Sequence, residues 1–391
     1  MSKTKVVIVG GGFGGVYAAR SLLRSGYDVT LISRTNFFIF TPLLHEVATG
    51  ALNASDITFE YSDFFHNTDF TFYRENVRET DFESHKVVTS DGEEIFYDYL
   101  IVSTGAKTNF FGTKGEENAL ELKTIEDANE IKRRIIKKAQ GIERNVSVNV
   151  IGGGPTGSEL VFEIKEFLET IKKYSSSLEY SVRLIHADKN LCPNFPMSVQ
   201  DYTLATMKRV GIDIRLETFV TEITPEGVIT KEGEKIDGDL NIWTAGVSPN
   251  TEIVGESFKD EKGNVIVDDN LRVAGREREF AIGDVMTREG EVIPKLAQTA
   301  IRQGKGVAKN IKLHNQGKEM TRYEVKLKGI LLSLGKGRGA GKLFGFDVKG
   351  FFGWMVWKGA YLTKVPGFRN KVEVFSTWTI NLFSSRDLYE K

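Results

Sequence analysis

Short apolar runs alternate with amphipathic stretches along most of this chain, a pattern of strands buried on both faces and joined by helices. Residues 5–9 predict a strand, 14–25 a helix and 28–33 a second strand, a β-α-β unit of about 30 residues. The order returns later, with a charged helix over 125–140, a strand over 146–151, a helix over 156–173 and a strand over 181–186. Between the repeats, 35–66 is aromatic and polar with helical patches, and 87–89 and 94–97 flank the turn Asp91-Gly92 as a hairpin. Residues 99–103 read as a further buried strand ending in Thr104-Gly105, and the polar stretch 112–124 suits a crossing between domains. Past the second repeat the pattern predicts a helix over 198–210, a hairpin strand over 228–231 and an apolar strand over 240–244 ending in Ala245-Gly246. A strand and turn over 280–284, a helix over 295–314, a glycine-rich hairpin region over 329–346 and aromatic helices over 350–362 and 370–383 follow.

Composition and charge change this picture in two ways. At 391 residues, with 40% hydrophobic content, the chain can hold two cores. Cys192 is the single cysteine, which excludes an intrachain disulfide and an intrachain redox dithiol. The first strand begins close to Met1, so no signal peptide is expected, and no run reaches the ~18–20 apolar residues of a membrane-spanning helix. A reducing, cytoplasmic setting is expected. The net charge of −1 hides a split, because residues 311–391 carry fifteen Lys or Arg against six Asp or Glu. That basic stretch is also aromatic. Val372, Phe375, Trp378, Thr379, Leu382 and Phe383 fall near one helical face, with Lys358, Lys364, Arg369, Lys371 and Arg386 around it. An apolar face with flanking bases is the pattern of a helix lying in a membrane interface. An internal core helix and a solvated basic face are the competing readings, and nucleic acid is not expected as a partner.

The chemistry is carried by two glycine fingerprints that begin 142 residues apart, at Gly10 and at Gly152. The first runs Gly10, Gly11, Gly12, Phe13, Gly14, Gly15, and the second runs Gly152, Gly153, Gly154, Pro155, Thr156, Gly157. Each follows an apolar strand and opens a helix. The first glycine makes the turn, the second lets the backbone approach a pyrophosphate, and the third lets helix and strand pack. The helix N-terminus adds N–H groups and positive dipole. Two dinucleotides on one chain point to electron transfer between a flavin and a nicotinamide. Strand two ends in Ser33 and Arg34 where an acid usually binds ribose; serine can bond a ribose hydroxyl and arginine can reach phosphate. Gly283-Asp284 ends another strand. With FAD bound, the carboxylate can take ribityl hydroxyls; otherwise Asp284 only caps the next helix. Thr104-Gly105 ends a strand at the same edge. In the second repeat Glu159 either faces the nicotinamide or only stabilises the helix dipole. His186 replaces the ribose acid there, which leaves NADPH open beside NADH. The segment beginning Lys295-Leu296-Ala297-Gln298 opens a helix that can point at a flavin, or can simply pack. No metal site is expected.

These residues carry a resemblance over nearly the full length. The stretches VVIVGGGFGGVYAAR, FTPLLHEVATG, VNVIGGGPTGSEL, IWTAGVSPN, FAIGDV, PKLAQTAIRQG and WMVWKGAYLTKVPGFRNKVEVFSTW resemble, in order, the type II NADH dehydrogenases. That family comprises single-subunit, FAD-dependent NADH:quinone oxidoreductases. The resemblance implies an α/β fold of two Rossmann-like dinucleotide-binding domains plus a C-terminal membrane-associating region. Residues 1–115 and 252–314 would form a discontinuous FAD domain, 116–251 the NADH domain and 315–391 the membrane-docking region. It implies FAD at the first fingerprint, with Thr41, Pro42, Leu43, Lys295 and Ala297 beside it, and NADH at the second, with Ala245 and Gly246. It places Gln298, with Ile301 and Lys358, at a quinone pocket, and makes Glu159 a candidate for nicotinamide positioning or proton relay. The implied partners are a membrane quinone and an anionic bilayer, at the cytoplasmic face of the cell membrane, with a homodimer allowed. Ser33 and His186 depart from the acids often found in the family. The rival readings are a soluble NAD(P)H-dependent flavoprotein reductase of a small electron-carrier protein, and a non-catalytic nucleotide-sensing or docking protein.

Overall fold

The structure is a computed structural model that describes residues 3–65, 68, 70–142 and 144–383. Arg386 and the side chain of Phe383 lie outside the described residues. Backbone contacts divide the chain into two units. One comprises Met1–Ile39, Thr58–Lys107 and Val247–Leu327, and the other Phe40–Ile57, Thr108–Gly246 and Lys328–Lys391.

The first unit is built on a parallel sheet of five strands in the order Glu279–Ala281, Tyr99–Val102, Lys5–Val9, Asp28–Ser33, Thr71–Arg74. Lys5–Val9 is central, and its Val6, Val7, Ile8 and Val9 are buried, as a strand covered on both faces requires. Val9 is level with Ile32 on one side and Val102 on the other. The strands therefore end together, at Gly10, Ser33 and Ser103. The Phe13–Leu23 helix leaves this edge and packs against the Ala297–Asn315 helix. A Cβ at Gly304 would collide with the Gly14 carbonyl, so glycine is what lets the two helices meet this closely. The expected hairpin is present as Lys86–Thr89 and Glu94–Phe96, extended by Val77–Asp81 into three antiparallel strands.

The second unit has a parallel sheet of four strands in the order Asp213–Arg215, Glu179–Ile185, Asn145–Ile151, Leu240–Trp243. The Ile125–Ala139 helix starts at a capping box of Thr124 and Asp127 and turns Ile125, Ala128, Ile131, Ile135 and Ala139 inward. The Pro155–Tyr174 helix is different. All its residues from Gly157 to Ile164 are buried, so Ser158, Glu159 and Glu163 are taken inside with the apolar ones. The glycine-rich region forms three antiparallel strands, Gly329–Ser333, Gly339–Leu343 and Phe346–Lys349, one more than a hairpin. The helices Gly350–Lys364 and Phe368–Phe383 follow. Among the described residues no helix is long and apolar enough to cross a membrane.

Candidate active site

Each glycine fingerprint sits at the common edge of a parallel sheet. Gly10 has φ of +107°, and a Cβ there would meet the Ser103 carbonyl; a Cβ on Gly15 would meet the carbonyl of Gly10. Gly12 is different, since no atom lies within 4 Å of the place its Cβ would take. It is the N-cap of the Phe13–Leu23 helix, and no side chain caps it. The second fingerprint repeats the arrangement. Gly152 has φ of +116° and stands against Ala245, Gly157 stands against Gly152 and Thr244, and Gly154 faces open space as an N-cap without a side-chain bond. Pro155 and Thr156 are exposed in the first turn of its helix. Two open helix N-termini in tight glycine turns fit the pyrophosphates of two dinucleotides.

The two departures at the strand ends have one physical explanation. Ser33 Oγ is 3.1 Å from the Tyr61 hydroxyl, which in turn donates to the Gly11 carbonyl at 3.0 Å. His186 Nδ1 accepts from the Gly153 N–H at 3.1 Å, and its Nε2 is 3.1 Å from the Asn190 carbonyl. A neutral ring with its proton on Nε2 satisfies both bonds, and burial lowers the His186 pKa, which keeps it neutral. Both side chains thus brace the middle glycine of their loop. Arg34 is exposed, and Ala245 is exposed beside Gly246.

At the edge of the first sheet, Gly283 donates its N–H to Gln303 Oε1 at 2.7 Å, and Asp284 lies within the short turn Gly283–Val285. The N-cap of the Ala297–Asn315 helix is Leu296, so Asp284 does not cap it. Lys295 bonds Asn264 Oδ1 at 3.2 Å; burial lowers its ammonium, against the pull of Asp284 and Asp260. Thr104 Oγ1 is bonded to the Asn250 carbonyl at 2.5 Å, and Gly105 is left-handed at +71°. Ala297 and Gln298 are the first two residues of their helix, and they and Ile301 are half-buried. In the second unit Thr41–Leu43 is a single 3₁₀ turn with Leu43 buried, Pro42 half-buried and Thr41 exposed.

The interior of the second unit holds a cluster of charges. Glu159 is 7% exposed, and its Oε1 accepts from the Ser333 N–H at 2.9 Å and the Trp357 indole at 3.1 Å. Glu46, 2% exposed, takes Lys358 Nζ at 3.2 Å on one oxygen and the Trp378 indole at 2.6 Å on the other. The Lys358 ammonium also lies 3.8 Å from the centre of the Trp378 ring, a cation–π contact. Thr49 Oγ1 is 3.4 Å from Glu163 Oε2. Burial pushes the Glu159 carboxyl up to about 7. Burial also works to raise Glu46, but Lys358, His45 and the two hydrogen bonds outweigh it and hold Glu46 below the usual carboxylate range. The result is a fixed ion pair and, near it, a carboxyl that can hold or release a proton at neutral pH.

Residues 4–304 match the family model described as pyridine nucleotide-disulphide oxidoreductase. The chain belongs to the pyridine nucleotide-disulphide oxidoreductase family. It is 31% identical to a probable NADH dehydrogenase of Dictyostelium discoideum, covering 98% of this chain and 90% of that one. It is 30% identical to a type II NADH:quinone oxidoreductase of Haemophilus influenzae, covering 86% of each. The resemblance to the type II NADH dehydrogenases therefore holds along nearly the whole chain. The fold is that of NDH2 from Plasmodium falciparum in complex with NADH, with a TM-score of 0.89 over all of both chains at 22% identity. For a member of the pyridine nucleotide-disulphide oxidoreductase family the lone cysteine is informative. Cys192 is buried beside Ser158, and burial pushes its thiol up to about 12, so it is inert as a nucleophile.

Two expectations for the C-terminal helices are corrected. Trp378 does not share the exposed face with Val372 and Phe375; it is 8% exposed, turned inward by its bond to Glu46. Lys358 is not a free flanking base but half of a buried ion pair. The exposed apolar side chains are instead Phe344, Phe346, Phe351, Phe352, Phe368 and Phe375 with their neighbours. Sequence reasoning passed over Tyr61, His45, Glu46, Glu163 and Trp357. His45 and Glu46 stand inside the FTPLLHEVATG stretch, and a His-Glu pair within an apolar run was the available signal.

Proposed function

We infer that the protein oxidises NADH and passes two electrons through FAD to a membrane quinone. The observation that carries this reading is the pair of open glycine turns, one in each unit, in a chain whose relatives are named NADH:quinone oxidoreductases. In this reading the first turn holds FAD, with Asp284 as ribityl acceptor, and the second holds NADH. When bound, the flavin supplies the two-electron step between nicotinamide and quinone. The chain supplies phosphate binding at Gly12 and Gly154, turns braced by Tyr61 and His186, and a titratable carboxyl at Glu159. Gln298, with Ile301, orients the quinone. NADPH remains an allowed donor.

The exposed phenylalanines of the Phe346–Lys349 strand and the last two helices support peripheral attachment to an anionic bilayer at its cytoplasmic face. A homodimer is compatible with this arrangement. The experiment is turnover of the purified protein with NADH and a short-chain quinone. The preparation should be yellow and should bleach anaerobically with NADH. A folded, colourless protein that gains no flavin on reconstitution refutes the reading.

A further inference from the structure

Phe110 and Phe111 are adjacent in sequence and go opposite ways. Phe110 turns toward the core of the second unit, its ring 5.3 Å from that of Trp243. Phe111 stays outside and is 59% exposed. Its backbone is unusual as well. The Thr113 N–H donates to the Phe110 carbonyl at 2.9 Å, closing a turn whose two central residues, Phe111 and Gly112, have φ of +53° and +75°. A turn with positive φ at both central positions favours Asn, Asp or Gly, and a bulky side chain there is strained. Local turn chemistry therefore does not explain the ring, yet the chain holds it in place. Asn109 Oδ1 accepts from the Phe111 N–H at 2.8 Å, the Asn109 N–H donates to the Gly246 carbonyl at 3.1 Å, and the Asn109 carbonyl accepts from the Trp243 indole at 2.9 Å. The ring lies directly against Gly246, where an added Cβ would stand 2.4 Å from its Cε2 and Cζ.

Gly246 stands just past the end of a strand that borders the second glycine turn. Trp243 is level with Ile151 in the parallel sheet, Thr244 Oγ1 donates to the carbonyls of Ile151 and Gly152 at 3.0 Å each, and a Cβ at Gly152 would meet Ala245. In a sheet of this strand order a dinucleotide lies across the end of the fingerprint strand, here Asn145–Ile151. Its adenosine half lies toward the neighbour that carries the ribose position, here Glu179–Ile185 with His186 beyond it, and its nicotinamide half toward the opposite neighbour, Leu240–Trp243. We propose that Phe111 is the wall of the nicotinamide half-site: its exposed ring packs against the nicotinamide ring of NADH and fixes where that end of the molecule lies. The proposal rests on the NADH reading of the second fingerprint. A planar apolar ring suits a planar ligand ring, which it can orient without a charge that would favour one redox form. Gly246 serves the same end, because any side chain there would displace the wall. No bond forms or breaks at Phe111, which acts by orientation alone.

The test measures equilibrium binding to the full-length, oxidised, flavin-loaded protein by calorimetry, with two probes. NAD+ carries the nicotinamide ring; ADP-ribose has the same adenosine, pyrophosphate and second ribose without it. Phe111→Ala should raise the dissociation constant for NAD+ about tenfold, the size of one lost stacking contact, and leave that for ADP-ribose within about twofold of wild type. A ring that only braced the turn at Gly246 would change both constants alike, or neither. In a single turnover, flavin reduction by NADH should slow while reoxidation by a short-chain quinone keeps its rate. Where the alanine variant loses its flavin, Phe111→Gly replaces it, since glycine adopts φ of +53° without strain. Gly246→Ala reaches the wall from the other side: its Cβ displaces the ring and should weaken NAD+ but not ADP-ribose, and on the Phe111→Gly background it should add no further loss. Equal losses for the two probes, or an unchanged NAD+ constant in a flavin-loaded Phe111 variant, overturn the proposal. Wild-type protein that binds neither probe would overturn the NADH reading itself, and the proposal with it.

Discussion

Glu159→Gln should stabilise the protein at alkaline pH and by much less in mild acid. Burial raises the folded-state carboxyl to about 7, while the unfolded chain titrates near the ordinary value of about 4.3. Between those values the native state binds more protons than the unfolded state, so stability falls as pH rises. Below the unfolded value both states are protonated and no penalty exists. Above about 7 the penalty is complete, and a shift of roughly 2.5 units corresponds to about 3 kcal/mol. Glutamine mimics the protonated acid, and its Oε1 can still accept from Ser333 and Trp357, so the variant escapes the penalty. The assay is urea unfolding of wild type and variant from pH 5 to pH 8.5 at one fixed flavin concentration, because bound flavin shifts apparent stability. Other titrating groups cancel in the difference. The difference should be about 1 kcal/mol at pH 5 and grow to about 3 kcal/mol in the variant's favour by pH 8.5. A difference that stays flat, or grows toward acid, refutes the assignment of Glu159 as a strained, proton-holding carboxyl.

Three further outcomes are expected. His186→Leu removes the acceptor of the Gly153 N–H and should raise the Michaelis constant for NADH by about tenfold, the equivalent of one lost hydrogen bond; the NADH-to-NADPH preference, read from the two kcat/KM values, should change little. Tyr61→Phe unties Ser33 from the Gly11 carbonyl and should weaken flavin retention by a similar factor, measured as flavin released on dilution. Combining Phe346→Ser, Phe351→Ser and Phe375→Ser, all at exposed positions, should release the protein from anionic vesicles in a sedimentation assay while NADH still bleaches the flavin.

Much of the fold was legible because it is locally encoded. The strands Lys5–Val9 and Asn145–Ile151 are apolar runs followed at once by glycines, and both elements of each repeat lie close in sequence. Element ends shifted by a few residues. The helix expected from 295 begins at Ala297, and the one expected to reach 25 ends at Leu23. The brace residues were less legible. Ser33 and His186 stood out as missing acids, but their actual partners are Tyr61, 28 residues away, and Gly153, 33 residues away. Nothing local announces such pairings. Glu159 could be placed on its helix but not turned to its partners, because Ser333 and Trp357 lie 174 and 198 residues further along.

The same long-range bonds change what the C-terminal segment is. Read alone, residues 350–383 look like an appended amphipathic anchor, and a truncation near 366 looks clean. In the structure Lys328–Lys391 belongs by contacts with Phe40–Ile57 and Thr108–Gly246. Glu46 takes both of its donors from this segment, Lys358 and Trp378, at the two ends of a span of more than 310 residues. Removing the chain beyond 366 takes away Trp378 and leaves Glu46 buried with one partner, and a buried carboxylate stripped of a donor costs on the order of 1–3 kcal/mol or more. The truncation therefore tests two things at once, bilayer contact and the integrity of the buried pair. Only the exposed phenylalanines can be altered to test the first alone. The aromatic residues of these helices thus serve two ends: Phe351 and Phe375 face outward, and Trp357 and Trp378 donate inward to the carboxylates on which the site's proton chemistry depends.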